Sequence, residues 1–237
     1  MSWTDGASTV VDGGRFVHRA RLDGRRSQVA FGLLLDTLAR PGEIRDLARV
    51  DLPAGLPTPL ILHLALADVE VPLAVVTGDP DSPWPDLMVD ATGASLTTPG
   101  AAAQVVMLDG FGPDDVLGLA RGTTEDPENG ARVAISCRQL HDLGPGVGPL
   151  PAALPATVAD ADADVVVALS GPGVDGWRVL GIDGLAPSLL LALADANRSY
   201  PAGVDCWFVT PTGEIAAVPR SSRVEVLGPA SDDGKVI

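Results

Sequence analysis

Short apolar segments with helix-like and strand-like patterns alternate along most of this 237-residue chain, and this alternation constrains the fold more than any other feature. The segments with helical spacing or helix-start signals are 27–39, 58–67, 113–120 and 187–197. The segments that predict strands are 73–77, 104–108, 131–136, 164–169, 177–182, 204–210, 214–218 and 223–226. Hairpin connections are expected at 170–176 and 211–213. Together these elements predict a layered α/β domain on a mixed sheet.

The first helix shows the clearest pattern. Its apolar pattern with helical spacing consists of Val29, Phe31, Leu34, Leu35 and Leu38. Ser27 is available as the N-cap, and Arg40-Pro41-Gly42 predicts an abrupt end.

One domain is expected over residues 27–227, because 46% of the chain is apolar and can build a sizeable core. Residues 1–26 are predicted to be an N-terminal arm, and residues 228–237 a disordered tail. The Gly/Pro-rich segment 143–155 is expected to be a surface excursion and not a linker between domains, because neither flank looks self-sufficient.

The charge balance indicates a soluble protein without a nucleic-acid partner. The formal net charge of −15 disfavours phosphate backbones and anionic membranes, which bind basic patches. The apolar stretches are far shorter than the roughly 20 residues of a membrane helix, and no secretory signal pattern opens the sequence. Two cysteines, Cys137 and Cys206, cannot form a disulfide framework. We therefore expect a cytoplasmic protein that spans no membrane.

The chain has fifteen arginines but only one lysine, Lys235, three positions from the end. A Schiff-base lysine or the lysine of a P-loop would have to be this terminal residue. The composition therefore disfavours pyridoxal and P-loop chemistry, and we expect no cofactor.

The three histidines have no metal-binding spacing, and no metal site is expected. His63 lies in the most apolar helix. A histidine there is more often a hydrogen-bonded core residue than a catalytic base, and the sequence leaves both roles open. His141 is expected to be more exposed. The turn at Gly171 and Gly173 lacks the strand-to-helix setting of a phosphate-binding loop, and is interpreted as structural.

A polar cluster near the C-terminal end is the best candidate for a functional site. It consists of Arg220, Ser221, Ser222, Arg223 and Glu225. Two arginines beside hydroxyl groups can bind an anion or a partner's carboxylate. The alternative is an edge strand that charged residues protect from aggregation.

The residues from Tyr200 to Val226 resemble the end of the PhnH family, the H subunits of carbon-phosphorus lyase. The resemblance lies in the runs YPAGVDCWFV from Tyr200 and IAAVPRSSRVEV from Ile215. It recurs in the same order upstream at Gln28, Phe31 and Leu34, at Arg40-Pro41-Gly42, at 64–68, at 121–123 with 127–130, and at 171–174. It covers about 27–227. Gly32 departs from the family pattern, which often has an arginine there.

The resemblance implies a fold similar to the large domain of pyridoxal-phosphate-dependent transferases, without the cofactor. It implies a subunit that works beside the G, I and J subunits and is a homodimer when isolated. The complex is expected to make α-D-ribose 1-methylphosphonate 5-triphosphate as a transferase during phosphonate catabolism. The first hypothesis is therefore a mainly structural, partner-binding subunit that is not catalytic alone. The second is an anion-binding part of the active site, with Arg220 and Arg223 as ligands.

Overall fold

The computed structural model describes residues 20–148 and 162–228. The helices are α1 (Gly24–Ala39), α2 (Ile61–Leu66), α3 (Trp84–Thr92), α4 (Pro113–Leu117) and α5 (Pro187–Ala196). The strands are β1 (Arg45–Asp46), β2 (Leu73–Val76), β3 (Gln104–Met107), β4 (Arg132–Ser136), β5 (Gln139–Gly146), β6 (Val165–Ser170), β7 (Trp177–Asp183), β8 (Asp205–Val209), β9 (Glu214–Val218) and β10 (Arg223–Gly228). Most of the predicted arm and tail lies outside the described residues.

The larger sheet has six strands in the order β1-β9-β8-β4-β3-β2, and it is mixed, as the sequence predicts. Strands β2, β3, β4 and β8 are parallel to their neighbours within this group, whereas β9 is antiparallel to both β8 and β1. Both faces are covered, so its central strands are continuous apolar runs instead of alternating ones.

The second sheet has four antiparallel strands in the order β10-β6-β7-β5. The predicted hairpins at β6-β7 and β8-β9 are both present, but they belong to different sheets. The chain leaves the larger sheet after β9, and β10 pairs with β6 instead. The fold is therefore α/β with one mixed and one antiparallel sheet.

Two hydrophobic clusters lie on opposite faces of the larger sheet. Alternate residues such as Val133 and Phe208 pack with the antiparallel sheet and α5, whereas Ala134 and Trp207 pack with α1, α2 and α3. The two-residue period of a strand separates the two sets. Among the described helices, none is long and apolar enough to cross a bilayer.

Helix α1 starts earlier than predicted, at Gly24. Asp23 is the N-cap, and its carboxylate accepts a hydrogen bond from the Arg26 amide, so Ser27 lies inside the helix. The end is where the sequence predicts it: Arg40 is the C-cap, and Gly42 adopts a positive φ of 75°. The predicted helix over 58–67 is a 3-10 turn at Thr58–Leu60 that continues into α2.

Three of these helices and strands were not predicted: the two-residue strand β1, helix α3 and strand β5. Helix α3 begins with Trp84-Pro85. A proline is compatible with the first turn of a helix, but the prolines around this segment were interpreted as loop residues. Strand β5 extends to Gly146, so the first residues of the predicted excursion at 143–155 pair with β7. A register shift between Asp142 and Pro145 accommodates the Gly-Pro residues. Residues 149–155 lie outside the described ranges.

Candidate functional site

Arg220 points into the fold and binds several partners. Its side chain is 12% exposed, and its Nη2 lies 2.7 Å from Oδ2 of Asp205 at the start of β8. Its Nη1 donates to the carbonyl of Pro127, and Nη2 lies 3.5 Å from the carbonyl of Gly130. The Arg220 amide also donates to Asp205, at 3.0 Å. Arg220 therefore fastens the turn after β9 to β8 and to the loop before β4.

The rest of the candidate cluster faces in other directions. Ser222 is buried, and its Oγ has no hydrogen-bond partner in the described part of the chain, whereas Ser221 is half-buried. The Arg223 side chain is 77% exposed and pairs with Glu225 at 3.0 Å. Both charges lie on β10, an edge strand of the antiparallel sheet, as the edge-strand interpretation requires. The two arginines thus do not converge on one site.

Three motifs that are distant in sequence meet at the turn between β6 and β7: Arg40-Pro41-Gly42, the turn residues 171–174 and the C-terminal cluster at Ser221. A Cβ added to Gly173 would collide with the Ala39 carbonyl and lie 2.9 Å from Cδ of Pro41, at the end of α1. A Cβ at Gly42 would lie 2.8 Å from Leu169 of β6, and one at Gly171 would lie 3.0 Å from the Ser221 carbonyl. Close packing against backbone atoms explains Gly171 and Gly173, and close packing against the Leu169 side chain explains Gly42.

Replacing Gly173 with alanine is expected to lower the free energy of unfolding by about 3 kcal/mol, because a positive-φ strain adds to a clash with backbone. Gly55 is the matched control: its φ is 88°, against 84° for Gly173, and no atom lies within 4 Å of the added Cβ. Gly55→Ala should therefore cost only the backbone strain, about 1 kcal/mol. Urea unfolding of both variants checks this; equal losses would contradict the packing role of Gly173.

A network of ion pairs lies beside this junction. Asp36 of α1 pairs with Arg40 and, at 2.8 Å, with Arg45. Arg178 of β7 pairs with Asp142 of β5 at 2.8 Å, and its Nη1 lies 3.7 Å from Glu43. Arg45, Glu43 and Arg178 thus connect the end of α1 to the antiparallel sheet, whereas Arg40 pairs only with Asp36 of α1 among the described ion pairs.

His63 is fully buried in α2, as the core interpretation requires. Its Nε2 lies 3.0 Å from the Ala74 carbonyl and its Nδ1 lies 3.4 Å from Oε1 of Gln104, so it links α2 to β2 and β3. Burial lowers the pKa of His63 to about 4, against the raising effect of both hydrogen bonds. The ring is therefore neutral near pH 7.

His141 is partly buried and pairs with Asp183, Nε2 to Oδ2 at 3.0 Å. Burial alone would raise the pKa of Asp183, but hydrogen bonds from His141 and from the Asp164 amide hold it below its usual value. No serine, threonine or cysteine side chain in the described ranges is hydrogen-bonded to His141. The pair joins β5 to β7 and forms no nucleophile-base arrangement.

The two cysteines are buried, and burial raises the pKa of the Cys137 thiol to about 12 and that of Cys206 well above its usual value. Both thiols are therefore protonated and unreactive at neutral pH. Within residues 20–148 and 162–228, no group of three or more His, Cys, Asp or Glu side chains could hold a metal ion.

Helix α1 exposes apolar side chains on the face opposite its buried one. Leu34 is 2% exposed, whereas Phe31 is 45% and Leu35 48% exposed. Gln28 and Gly32 lie on the same outer face, and a Cβ at Gly32 would have no atom within 4 Å. Among the residues that carry the family resemblance, Leu34 thus packs in the core, whereas Gln28 and Phe31 face outward. We call the surface of Gln28, Phe31, Gly32 and Leu35 the α1 outer face.

Sequence reasoning missed the α1 outer face and the partners of Arg220 and His141. Helical spacing alone grouped Phe31 and Leu35 with the core residues. A rotation of about 100° per residue would have separated them from Ala30, Leu34 and Thr37. Asp205 and Asp183 offered no local signal, because their partners lie far along the chain or on another strand.

Comparisons with known proteins give a consistent result. A family model described as bacterial phosphonate metabolism protein (PhnH) matches residues 22–225. A curated protein named "Putative C-P lyase subunit protein HtxG", from Stutzerimonas stutzeri, is 27% identical over 212 residues, which cover 86% of this chain and 88% of the relative. The matched region begins before α1 and ends within β10, so it contains both sheets and the three motifs at the β6-β7 turn.

Proposed function

The chain belongs to the PhnH family of bacterial phosphonate metabolism proteins, and from this membership we propose that it is a partner-binding subunit of a carbon-phosphorus lyase complex. The relative described as a C-P lyase subunit supports this proposal, since it aligns along nearly the whole chain. The α1 outer face is the observation that carries the partner-binding role.

The α1 outer face has the character of a docking surface. Phe31 and Leu35 are one helical turn apart, so their side chains form a continuous apolar strip. Gly32 between them leaves the helix backbone accessible, which permits close approach of a partner element. Single exposed apolar residues need no explanation, but two adjacent large ones, of which Phe31 carries the family resemblance, are best explained by a partner.

Four further assignments are proposals that rest on the same family membership: the partners, the reaction, the oligomeric state and the location. We place the G, I and J subunits of carbon-phosphorus lyase as the partners and the synthesis of α-D-ribose 1-methylphosphonate 5-triphosphate as the transferase reaction that the complex performs. In isolation the chain is a homodimer, and it is cytoplasmic. Its mixed sheet and its single lysine support a fold similar to the large domain of pyridoxal-phosphate-dependent transferases that works without the cofactor.

Replacing Phe31 and Leu35 together with aspartate is expected to abolish binding to the partner subunits. Charges in a buried apolar contact cost several kcal/mol, so affinity should fall by about 100-fold or more. Co-expression with the G, I and J subunits, followed by size-exclusion chromatography, measures this. The double variant should remain folded, because neither side chain is in the core.

Leu191→Asp is the matched control, since Leu191 is 49% exposed but lies on α5. This variant should elute with the partners as the wild-type chain does. Coelution of the Phe31/Leu35 double variant with its partners at wild-type stoichiometry would rule out the α1 outer face as the docking surface.

The second candidate is an anion-binding contribution to the active site through the C-terminal cluster. Arg223 supports it best, because its guanidinium is largely exposed, whereas the donors of Arg220 are directed at Asp205 and backbone carbonyls. Under this alternative, Arg223→Ala should lower turnover of the reconstituted complex without dissociating it. Unchanged turnover in an intact complex would rule out the anion-binding candidate, and partner binding would be the remaining proposal.

A further inference from the structure

A cleft lies beside the first two turns of α1, between this helix and the 3-10 turn Leu47–Arg49. Its volume is about 480 Å³, and it is lined by Asp23, Arg25, Arg26, Val29 and Arg49. This volume is within the range of small-molecule sites, which runs from about 300 to 1,000 Å³.

Arg26 is fixed by the fold. Its Nε lies 3.3 Å from Oδ2 of Asp23, its Nη1 donates to the Asp51 carbonyl at 3.0 Å, and its Nη2 donates to the Arg21 carbonyl at 2.7 Å. Its charge is balanced by Asp23, whose pKa is lowered chiefly by the hydrogen bond from the Arg26 amide. The positive end of α1 is thus already capped, and it does not provide the site by itself.

Arg25 and Arg49 differ from most other arginines of this chain. Both are exposed, and neither forms an ion pair or a side-chain hydrogen bond with another residue in the described ranges. Elsewhere in these ranges, most arginines are paired with a carboxylate, namely Arg26, Arg40, Arg45, Arg138, Arg178, Arg198, Arg220 and Arg223.

Such pairing is expected in a chain with 31 acidic and 16 basic residues. Two guanidinium groups in one cleft, without a carboxylate partner among residues 20–148 and 162–228, form a local positive site on an otherwise acidic protein. A net charge of −15 repels a small anion from much of this surface, whereas the cleft offers it two guanidinium groups.

We propose that this cleft binds a small phosphate- or phosphonate-bearing molecule through the guanidinium groups of Arg25 and Arg49. Arginine presents a planar fork of donors that matches phosphate oxygens. Val29 and the aliphatic stems of the arginines supply an apolar wall for the organic part of such a ligand. This inference stands on the cleft alone and does not depend on partner binding.

Isothermal titration of the full chain with inorganic pyrophosphate, at low ionic strength and without divalent cations, tests the proposal. We expect saturable binding of one pyrophosphate per chain with a Kd below about 1 mM. Each of Arg25→Gln and Arg49→Gln should weaken binding roughly tenfold, because each removes charge-assisted hydrogen bonds. Both variants should keep the wild-type unfolding midpoint, since neither side chain forms a polar contact with another residue of the two described ranges.

Arg198→Gln is the control, because Arg198 is a similarly exposed arginine that pairs with Asp195 away from the cleft. It should bind pyrophosphate like the wild-type chain, and so should the Phe31/Leu35 double aspartate variant. No saturable binding, or equal binding by wild type and the Arg25/Arg49 double variant, would overturn the proposal. An Arg25/Arg49 double variant that loses partner binding but keeps pyrophosphate binding would also overturn it, because the cleft would then receive a partner's carboxylates.

Discussion

Replacing Arg220 with alanine is expected to lower the free energy of unfolding by about 3 kcal/mol, because the change leaves a largely buried carboxylate without its partner. Asp205 pairs with Arg220 at 2.7 Å, and the two side chains are only 17% and 12% exposed. The carbonyls of Pro127 and Gly130 would lose a donor at the same time. Urea unfolding monitored by circular dichroism measures the loss.

Arg223→Ala is the matched control within the same motif. Its guanidinium is 77% exposed, and its ion pair with Glu225 is open to solvent, so the loss should stay below about 0.5 kcal/mol. Equal losses for the two variants, or a stable Arg220→Ala protein, would contradict the structural role of Arg220. A destabilised Arg220→Ala protein could not be used to test anion binding, because a loss of binding would then reflect unfolding. Arg223→Ala is therefore the variant for that test.

The second large effect is a loss of stability in mild acid that originates from His63. The pKa of this residue is about 4 in the folded chain and 6.5 when unperturbed, so the unfolded state binds the proton more tightly. The stability due to the neutral ring is complete above the unfolded pKa and is lost as the pH falls toward the folded pKa. From about pH 7 to about pH 5, this group should remove about 2 kcal/mol of stability.

His63→Gln isolates this contribution, because glutamine retains hydrogen-bonding groups but does not titrate. The variant is expected to be less stable than the wild type near neutral pH, since its contact with the Ala74 carbonyl is changed. Its loss of stability between about pH 7 and about pH 5 should be smaller than that of the wild type by about 2 kcal/mol. Identical pH dependence in the two proteins would contradict a buried neutral His63.

The strands of the larger sheet were predictable because both of its faces are buried. Continuous apolar runs such as 105–108 and 133–135 leave few alternatives to a buried strand. The assignment of strands to sheets was not predictable. Strand β10 follows β9 closely in sequence, yet it pairs with β6, and only long-range packing decides this.

The candidate site was predicted as a sequence cluster, but its residues separate in space. Arg220 and Arg223 are three positions apart, and a tight turn followed by a change of sheet sends one side chain inward and the other outward. The motif residues Arg40, Pro41, Gly42, Gly171 and Gly173 were recognised individually. Their mutual contact at the β6-β7 turn could not be predicted, because it depends on how α1 packs against the antiparallel sheet.

Growth on methylphosphonate as the sole phosphorus source tests most directly that this chain is a subunit of a carbon-phosphorus lyase. Deletion of its gene should abolish this growth and leave growth on inorganic phosphate unchanged. The wild-type chain and Leu191→Asp should restore growth, whereas the Phe31/Leu35 double aspartate variant should not. Undiminished growth of the deletion strain on methylphosphonate would contradict the proposed function.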